Sequence, residues 1–182
     1  MTARDPEALL GYWFNPATEK RWFAPPDAAF DAEIADRFAE LYADARAGGL
    51  DYWRETPRGT LALVVALDQF PRHMFRGTAR AFEADEEARA VADHAVALQQ
   101  DRPLAPVERR FLYLPFMHSE NLDDQHRACA LFAALDDPEG LKAAEEHRAV
   151  IERFGRFPHR NAALGRASTP EEQAFLDQGA WP

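Results

Sequence analysis

Histidine, carboxylate and arginine side chains recur in three separated stretches of this sequence. His118, His147 and His159 are candidate catalytic groups because histidine ionises near neutral pH. Asp68 and Glu120 are further catalytic candidates, which could orient the imidazoles. Guanidinium groups match the geometry of carboxylates and phosphates. If the stretches meet in the fold, we expect an arginine- and histidine-lined cleft for a small anionic ligand, with hydrolysis or group transfer as the candidate reactions.

The first stretch places polar residues at the end of an apolar segment. Residues 61–67 are apolar on every side, which predicts a helix enclosed by its neighbours, and Asp68 and Gln69 follow directly. A carboxylate at this position is disfavoured by desolvation and by the negative end of the helix dipole. We therefore expect Asp68 to pair with an arginine, and Arg72 and Arg76 come next in the chain.

Pro71 bears on how this pairing is made. Proline lacks the backbone N–H of a helix interior, so the helix is expected to be interrupted near Phe70. Asp68 and Arg72 would then not meet through simple helical spacing. Two interpretations remain open: a buried ion pair that fixes the turn, or a pair that takes part in ligand binding.

The second stretch carries His118 on an apolar face. His118 continues the hydrophobic stripe of residues 111–115, where a histidine is either a hydrogen-bonded core group or a catalyst. If Ser119 caps the next helix, Glu120 lies in the first turn, where a negative charge is favoured for local reasons. Gln125 follows within two turns and is a candidate ligand-binding residue.

The third stretch, residues 147–166, contains five arginines and one acidic residue in a chain of formal net charge −10. Either internal carboxylates such as Asp68 and Glu120 neutralise this excess, or a bound anion does. The candidate ligand-binding residues of the three stretches are Gln69, Arg72, Arg76, Gln125, Arg153, Arg156, Arg160, Asn161 and Arg166.

Capping residues, prolines and glycines mark the ends of the elements that must position these groups. A capping side chain followed by proline marks four helix starts, at Asp5-Pro6, Thr56-Pro57, Asp137-Pro138 and Thr169-Pro170. Thr169 and Glu172 form a capping box, and Asp27 and Asp85 are expected to act as caps without proline. Apolar spacing and short connections predict an all-α fold of stacked antiparallel helical hairpins. The eight predicted helices cover residues 6–14, 28–47, 57–69, 85–100, 106–118, 121–135, 138–154 and 170–178.

Composition restricts the class of protein. The 182 residues, 47% of them hydrophobic, predict one domain over 1–182. The net charge of −10 argues against nucleic acid or an anionic membrane as the main partner, and the oligomeric state is left open. Cys129 is the sole cysteine, which favours a reducing compartment. Since the chain shows neither a signal peptide nor an apolar run of membrane-spanning length, a cytoplasmic location is expected.

Long, ordered motifs recur along nearly the whole chain. They are Asp68-Gln69-Phe70-Pro71-Arg72, Phe75-Arg76-Gly77-Thr78, Tyr113-Leu114-Pro115-Phe116, His118-Ser119-Glu120, Asp124-Gln125, His147 through Asn161, Leu164-Gly165-Arg166 and Ser168-Thr169. These motifs resemble an uncharacterised bacterial family, domain of unknown function 924. The resemblance implies an all-α fold related to tetratricopeptide-repeat hairpins, and it implies no established activity and no assigned catalytic residues.

Three alternatives to a small-anion cleft remain open. The stacked hairpins could form an interaction domain whose arginines bind an acidic peptide or partner protein, with exposed Trp13, Trp22, Trp53 and Trp181 as possible anchors. A metal centre using His118, Glu120, His126, His147 and Asp68 has less support, because no two histidines have helix-face metal spacing. The polar residues could also be purely structural. No cofactor is predicted, since nucleotide- and dinucleotide-binding motifs are absent from the sequence.

Overall fold

Capping side chains set where the helices begin in the computed structural model, which describes residues 4–179. The side chains of Asp5, Asp27, Thr56, Asp137 and Thr169 each accept a hydrogen bond from a backbone N–H in the first turn of the following helix. Glu172 completes the predicted capping box by accepting from Thr169 N at 2.8 Å. These five signals are local, and they are confirmed.

The fold is all-α over residues 4–179, with no strand in that range, as predicted. Eight of its α-helices have eight residues or more. Tertiary likeness to tetratricopeptide-repeat hairpins stays a prediction. The α-helices are α1 (Pro6–Trp13), α2 (Pro16–Glu19), α3 (Ala28–Arg46), α4 (Pro57–Val64), α5 (Phe70–Met74), α6 (Asp85–Ala97), α7 (Pro106–Met117), α8 (Leu122–Ala134), α9 (Pro138–Phe154) and α10 (Pro170–Asp177). Short 3₁₀ turns occupy Asp51–Glu55, Ala79–Phe82 and Pro158–Arg160.

Two expected caps were wrong. Asp85 is the first residue of α6 rather than its cap, and its carboxylate pairs instead with arginines from other parts of the chain. Asn121, not Ser119, caps α8 by accepting from Asp123 N. Glu120 therefore precedes the helix, and the local explanation for its charge does not apply.

Pro71 does not interrupt the helix, so the interruption expected near Phe70 is also wrong. Between α4 and α5, Val65–Gln69 form a π-helical turn in which Phe70 N donates to Val65 O, five residues back. The wider turn leaves space for the proline ring, and its backbone hydrogen bonds do not require the N–H group that proline lacks. The chain thus runs from α4 into α5 without a break, and Asp68 and Arg72 stay one turn apart.

The core surrounds this continuous segment. Residues 61–67 are each at most 2% exposed, which confirms that the apolar run is enclosed. Helices α1, α6 and α7 pack on α4, and α6 to α9 pack on one another in chain order. A smaller cluster of Val150, Ile151 and Phe157 holds the turn after α9. In the part of the chain that the structure describes, no helix is long and apolar enough to cross a membrane.

A substitution of Gly59 tests how closely α4 packs on the 3₁₀ turn Asp51–Glu55 that precedes it. A Cβ at Gly59 would lie well inside contact distance of Trp53 O and 2.8 Å from Thr56 Oγ1. We expect Gly59→Ala to lower the free energy of unfolding by about 1–3 kcal/mol through overpacking. Gly11→Ala is the matched control, because a Cβ at that position in α1 meets nothing within 4 Å. Urea denaturation measures both, and equal stabilities for the two variants would contradict the packing described.

Candidate functional site

A buried carboxylate–histidine pair connects the first two stretches. Asp68, in the π turn, is 0% exposed, and His118 Nδ1 lies 2.8 Å from Asp68 Oδ1. Gln69 Nε2 donates to the other carboxylate oxygen. Arg72 Nη1 lies 3.3 Å from Asp68 Oδ1, so a guanidinium from one helical turn further along the chain lies beside the carboxylate. The π turn and the end of α7 bring these groups together.

The charges of this pair follow from its surroundings. Burial opposes ionisation of Asp68, but Arg72 and His118 outweigh that effect and hold its pKa below the usual value. Burial lowers the pKa of His118, and the attraction of Asp68 only partly offsets that shift. The pair is therefore a carboxylate and a neutral imidazole at neutral pH. Because an ionised carboxylate can only accept, Nδ1 of His118 carries the proton and donates it to Asp68.

Arg160 joins the third stretch to this pair. Its Nη1 lies 3.0 Å from Asp85 Oδ2, and its Nη2 donates to His118 O at 2.9 Å. Arg72 Nη2 lies 2.9 Å from the other oxygen of Asp85, so Asp85 bridges two arginines. Burial lowers the pKa of Arg160 to about 10, which leaves it protonated at neutral pH. The structure thus brings Asp68, His118 and Arg160 to one place.

His147 and His159 lie beside the same cluster. The rings of His147 and His118 are 6.4 Å apart between centroids, and His159 lies 5.5 Å from the ring of Phe157. Burial lowers the pKa of each of these two histidines to about 3, so both are neutral at neutral pH. His147 Nδ1 lies 2.8 Å from Ala143 O. Since a carbonyl only accepts, Nδ1 of His147 carries the proton.

Glu120 forms a second polar contact with the third stretch. Arg166 binds both of its oxygens, at 2.8 and 2.9 Å, and Phe157 N donates to it at 2.8 Å. Burial would raise the pKa of Glu120, but Arg166 and the Phe157 amide hold it below its usual value. Asn161 Oδ1 accepts from Arg166 Nε at 2.9 Å and so fixes that guanidinium.

Several predicted ligand-binding residues lie elsewhere. Arg76 binds both oxygens of Asp31 on α3, and Arg153, half exposed, binds Glu171. Gln125, at 0% exposure, donates to the carbonyls of Met117 and Ser119 and so supports the turn after α7.

The arginine excess of residues 147–166 is matched by internal carboxylates. Each of the five arginines has a carboxylate within 3.3 Å, so internal pairing accounts for the cluster without a bound anion. One of these pairs, Arg156 on Glu172, also holds α10 to the turn after α9, with distances of 2.6 and 2.8 Å. Internal pairing is therefore sufficient for these arginines, and density of positive charge alone does not indicate a ligand.

A cleft of about 550 Å³ opens in front of the cluster. His118, Arg160 and Glu120 line it, as expected from the sequence, and 17% of the His118 side chain remains exposed there. Glu86 and Arg89 on α6 also line it and were missed. Their only sequence signal is a spacing of three residues, which is typical of an ordinary solvated helix face.

The tryptophans offered as exposed anchors are mostly interior. Trp13 is 0% exposed and Trp53 is 2% exposed, so neither can contact a partner from the surface. Trp22 packs partly buried against the core, and Trp181 lies outside the described residues. Large aromatics close the core here because their buried area stabilises the fold more than solvent exposure would.

The metal-centre alternative concerns a different set of side chains. No group of three or more His, Cys, Asp or Glu side chains within residues 4–179 is arranged to hold an ion.

The neutral histidines make stability depend on pH. A histidine that stays neutral when folded but is protonated when unfolded favours unfolding as the pH falls below about 6.5. Because His147 has a folded pKa of about 3, it should lower the free energy of unfolding as the pH falls from about 6.5 to 5, by on the order of 1 kcal/mol for each pH unit. Urea denaturation should show a shallower pH dependence for His147→Asn, which keeps a donor for Ala143 O. The exposed His126→Asn serves as control, and identical slopes for wild type and His147→Asn would refute the assignment.

Comparison with known proteins adds two matches. A solved structure described as a protein of unknown function, ATU0120 from Agrobacterium tumefaciens, is 44% identical, with a TM-score of 0.90 over 96% of this chain and 97% of that one. No curated protein matches. The model of a bacterial protein family of unknown function, DUF924, matches residues 9–180. The chain therefore belongs to the DUF924 family, as the motifs indicated.

Proposed function

We propose that the cleft binds a small metabolite through an anionic group and that His118 acts on it as a general base. The observation that carries this proposal is the Asp68–His118 pair, which is buried on the carboxylate side and open to the cleft on the imidazole side. The candidate reactions are hydrolysis and group transfer.

The tautomer of His118 suits a base. Because Nδ1 donates to Asp68, the lone pair of the ring lies on Nε2. Burial lowers the pKa of His118, so the imidazole is neutral and ready to accept a proton at pH 7. Asp68 orients the ring and would stabilise the imidazolium formed when the proton is taken, as the carboxylate does in hydrolase triads.

Arg89 is the guanidinium of the wall whose donors are available to the anionic group. The side-chain hydrogen bonds that Arg89 forms within the described chain all use Nη1, which contacts Asp124 at 2.5 Å and Ser119 at 3.3 Å. The remaining donors of Arg89, which is one-third exposed, are available to a ligand. Arg160, which stays protonated and stacks on the ring of Phe82 at 4.5 Å, adds positive charge beside His118.

The nucleophile in this proposal is water or a hydroxyl of the substrate. Ser119 is next to His118 in sequence, but its hydroxyl donates to Asp124 at 2.7 Å and accepts from Asn121 N. That hydroxyl is committed to the start of α8. The acidic-peptide alternative has less support, because its tryptophan anchors are buried and Arg153 and Arg156 pair with α10.

The tautomer is directly testable. Nitrogen-15 NMR of labelled histidine should show His118 at neutral pH with its proton on Nδ1. Asp68→Asn should disturb this tautomer, because an amide can donate to Nδ1 instead of accepting from it. Asp31→Asn is a matched control, since Asp31 contacts His73 Nδ1 at the same 2.8 Å in another part of the fold. A proton on Nε2 of His118 in the wild type would remove the general base.

Ligand binding is tested by thermal unfolding against a panel of small phosphates and carboxylates. A compound present at about 100 times its Kd should stabilise the folded state by about 2.7 kcal/mol. Arg89→Gln should weaken this effect, because it removes the accessible guanidinium. Arg127→Gln should keep it, since Arg127 pairs with Asp93 on the neighbouring surface. A panel that raises the Tm of neither wild type nor Arg127→Gln would overturn the proposed function.

A further inference from the structure

Glu86 is the one charged group on the cleft wall without a partner among residues 4–179. Its carboxylate is exposed and forms neither a hydrogen bond nor an ion pair with another described residue. The neighbouring Glu87, one position along α6, pairs with Arg46 and lies outside the wall. The lack of a partner is thus particular to Glu86.

The other three carboxylates of the wall are already engaged. Glu83 accepts from the Tyr42 hydroxyl at 2.9 Å and lies 3.8 Å from the guanidinium of Arg80. Asp85 bridges Arg72 and Arg160, and Glu120 binds Arg166. Their charges are therefore compensated inside the protein. The charge of Glu86 is available to a molecule in the cleft.

Apart from Glu86, the charges of the wall are paired inside the protein. Arg89 pairs with Asp124 and Arg160 pairs with Asp85, and His118 is neutral. A ligand with only negative charge would meet the available donors of Arg89 but would be repelled by Glu86, three residues away on the same helix. The repulsion is removed when the ligand also carries a cationic group.

The positions of Glu86 and Arg89 specify how the two charges must be arranged. They are three residues apart on α6, so their Cβ atoms are about 5–6 Å apart on one face of the helix. Both side chains line the cleft. The helix thus presents a carboxylate and a guanidinium side by side, which complements an ammonium and an acidic group separated by a few bonds.

We infer that the ligand of this cleft is a small zwitterion, an amino acid or an aminoalkyl phosphate, whose ammonium group binds Glu86 and whose acidic group binds Arg89. This inference rests on the proposed function and adds the chemical class of the ligand. An ammonium group donates up to three hydrogen bonds, and an exposed carboxylate provides the acceptors it needs. Glu86 is then the residue that distinguishes an amine-bearing ligand from its deaminated counterpart.

Matched compound pairs test the inference by calorimetry and thermal unfolding. The pairs are norvaline and pentanoate, 4-aminobutyrate and butyrate, and 2-aminoethyl phosphate and ethyl phosphate. In at least one pair, the wild type should bind the amine-bearing member about tenfold more tightly or better. Glu86→Gln should reduce that preference to less than about threefold, while Glu87→Gln on the same helix should keep it.

The outcomes separate the two proposals. If the deaminated members bind as tightly as the amine-bearing members or more tightly, and Arg89→Gln abolishes that binding, the zwitterion inference is wrong but the proposed anion cleft is supported. A preference for the amine that persists in Glu86→Gln would also overturn it, because the ammonium would then bind elsewhere. If neither series binds, both proposals are wrong.

Discussion

The desolvation of one carboxylate organises the polar half of this molecule. Asp68 has lost all contact with water, and a buried charge without partners would cost several kcal/mol. His118 and Arg72 therefore have to stay beside it, and each then brings further groups: Arg72 binds Asp85, and Asp85 binds Arg160. Three distant parts of the chain are joined through this sequence of contacts rather than through apolar packing alone.

Burying this polar cluster costs free energy, and a purely structural role does not account for that cost. Replacing buried ion pairs by apolar side chains of similar volume is often neutral or stabilising. The polar cluster here lies at the end of a well-packed apolar run, where more apolar residues would have completed the core. Its imidazole instead opens on a cleft, which is the reason to regard the cluster as functional.

The sequence predicted what is determined locally. The caps at Asp5, Thr56 and Thr169 depend on a few neighbouring residues, and the structure has them as expected. Asp85 carried a similar signal but is bound by Arg72 and Arg160, partners that only the tertiary fold supplies.

The same limit applies to the cleft. The convergence of Asp68, His118 and Arg160 was predicted, because a buried carboxylate requires a cationic partner. Glu86 and Arg89 were missed, because charged residues three apart occur on most exposed helix faces, and only the position of α6 against α7 gives them a common cavity. The number of guanidinium donors that are already bonded within the protein likewise depends on contacts between distant segments.

The π-helical turn at Val65–Gln69 allows one continuous helical segment to contact both the apolar core and the polar cluster. Each residue added to a helix rotates everything after it by about 100°, since a turn contains 3.6 residues. A wide turn holds one residue more than an α-helical turn, so the angular phase of the side chains changes there. The apolar face of α4 can therefore end against the core while the next side chains point toward the polar cluster. Loss of a single residue from this turn would restore a regular helix, and the carboxylate of Asp68 would then face a different neighbour.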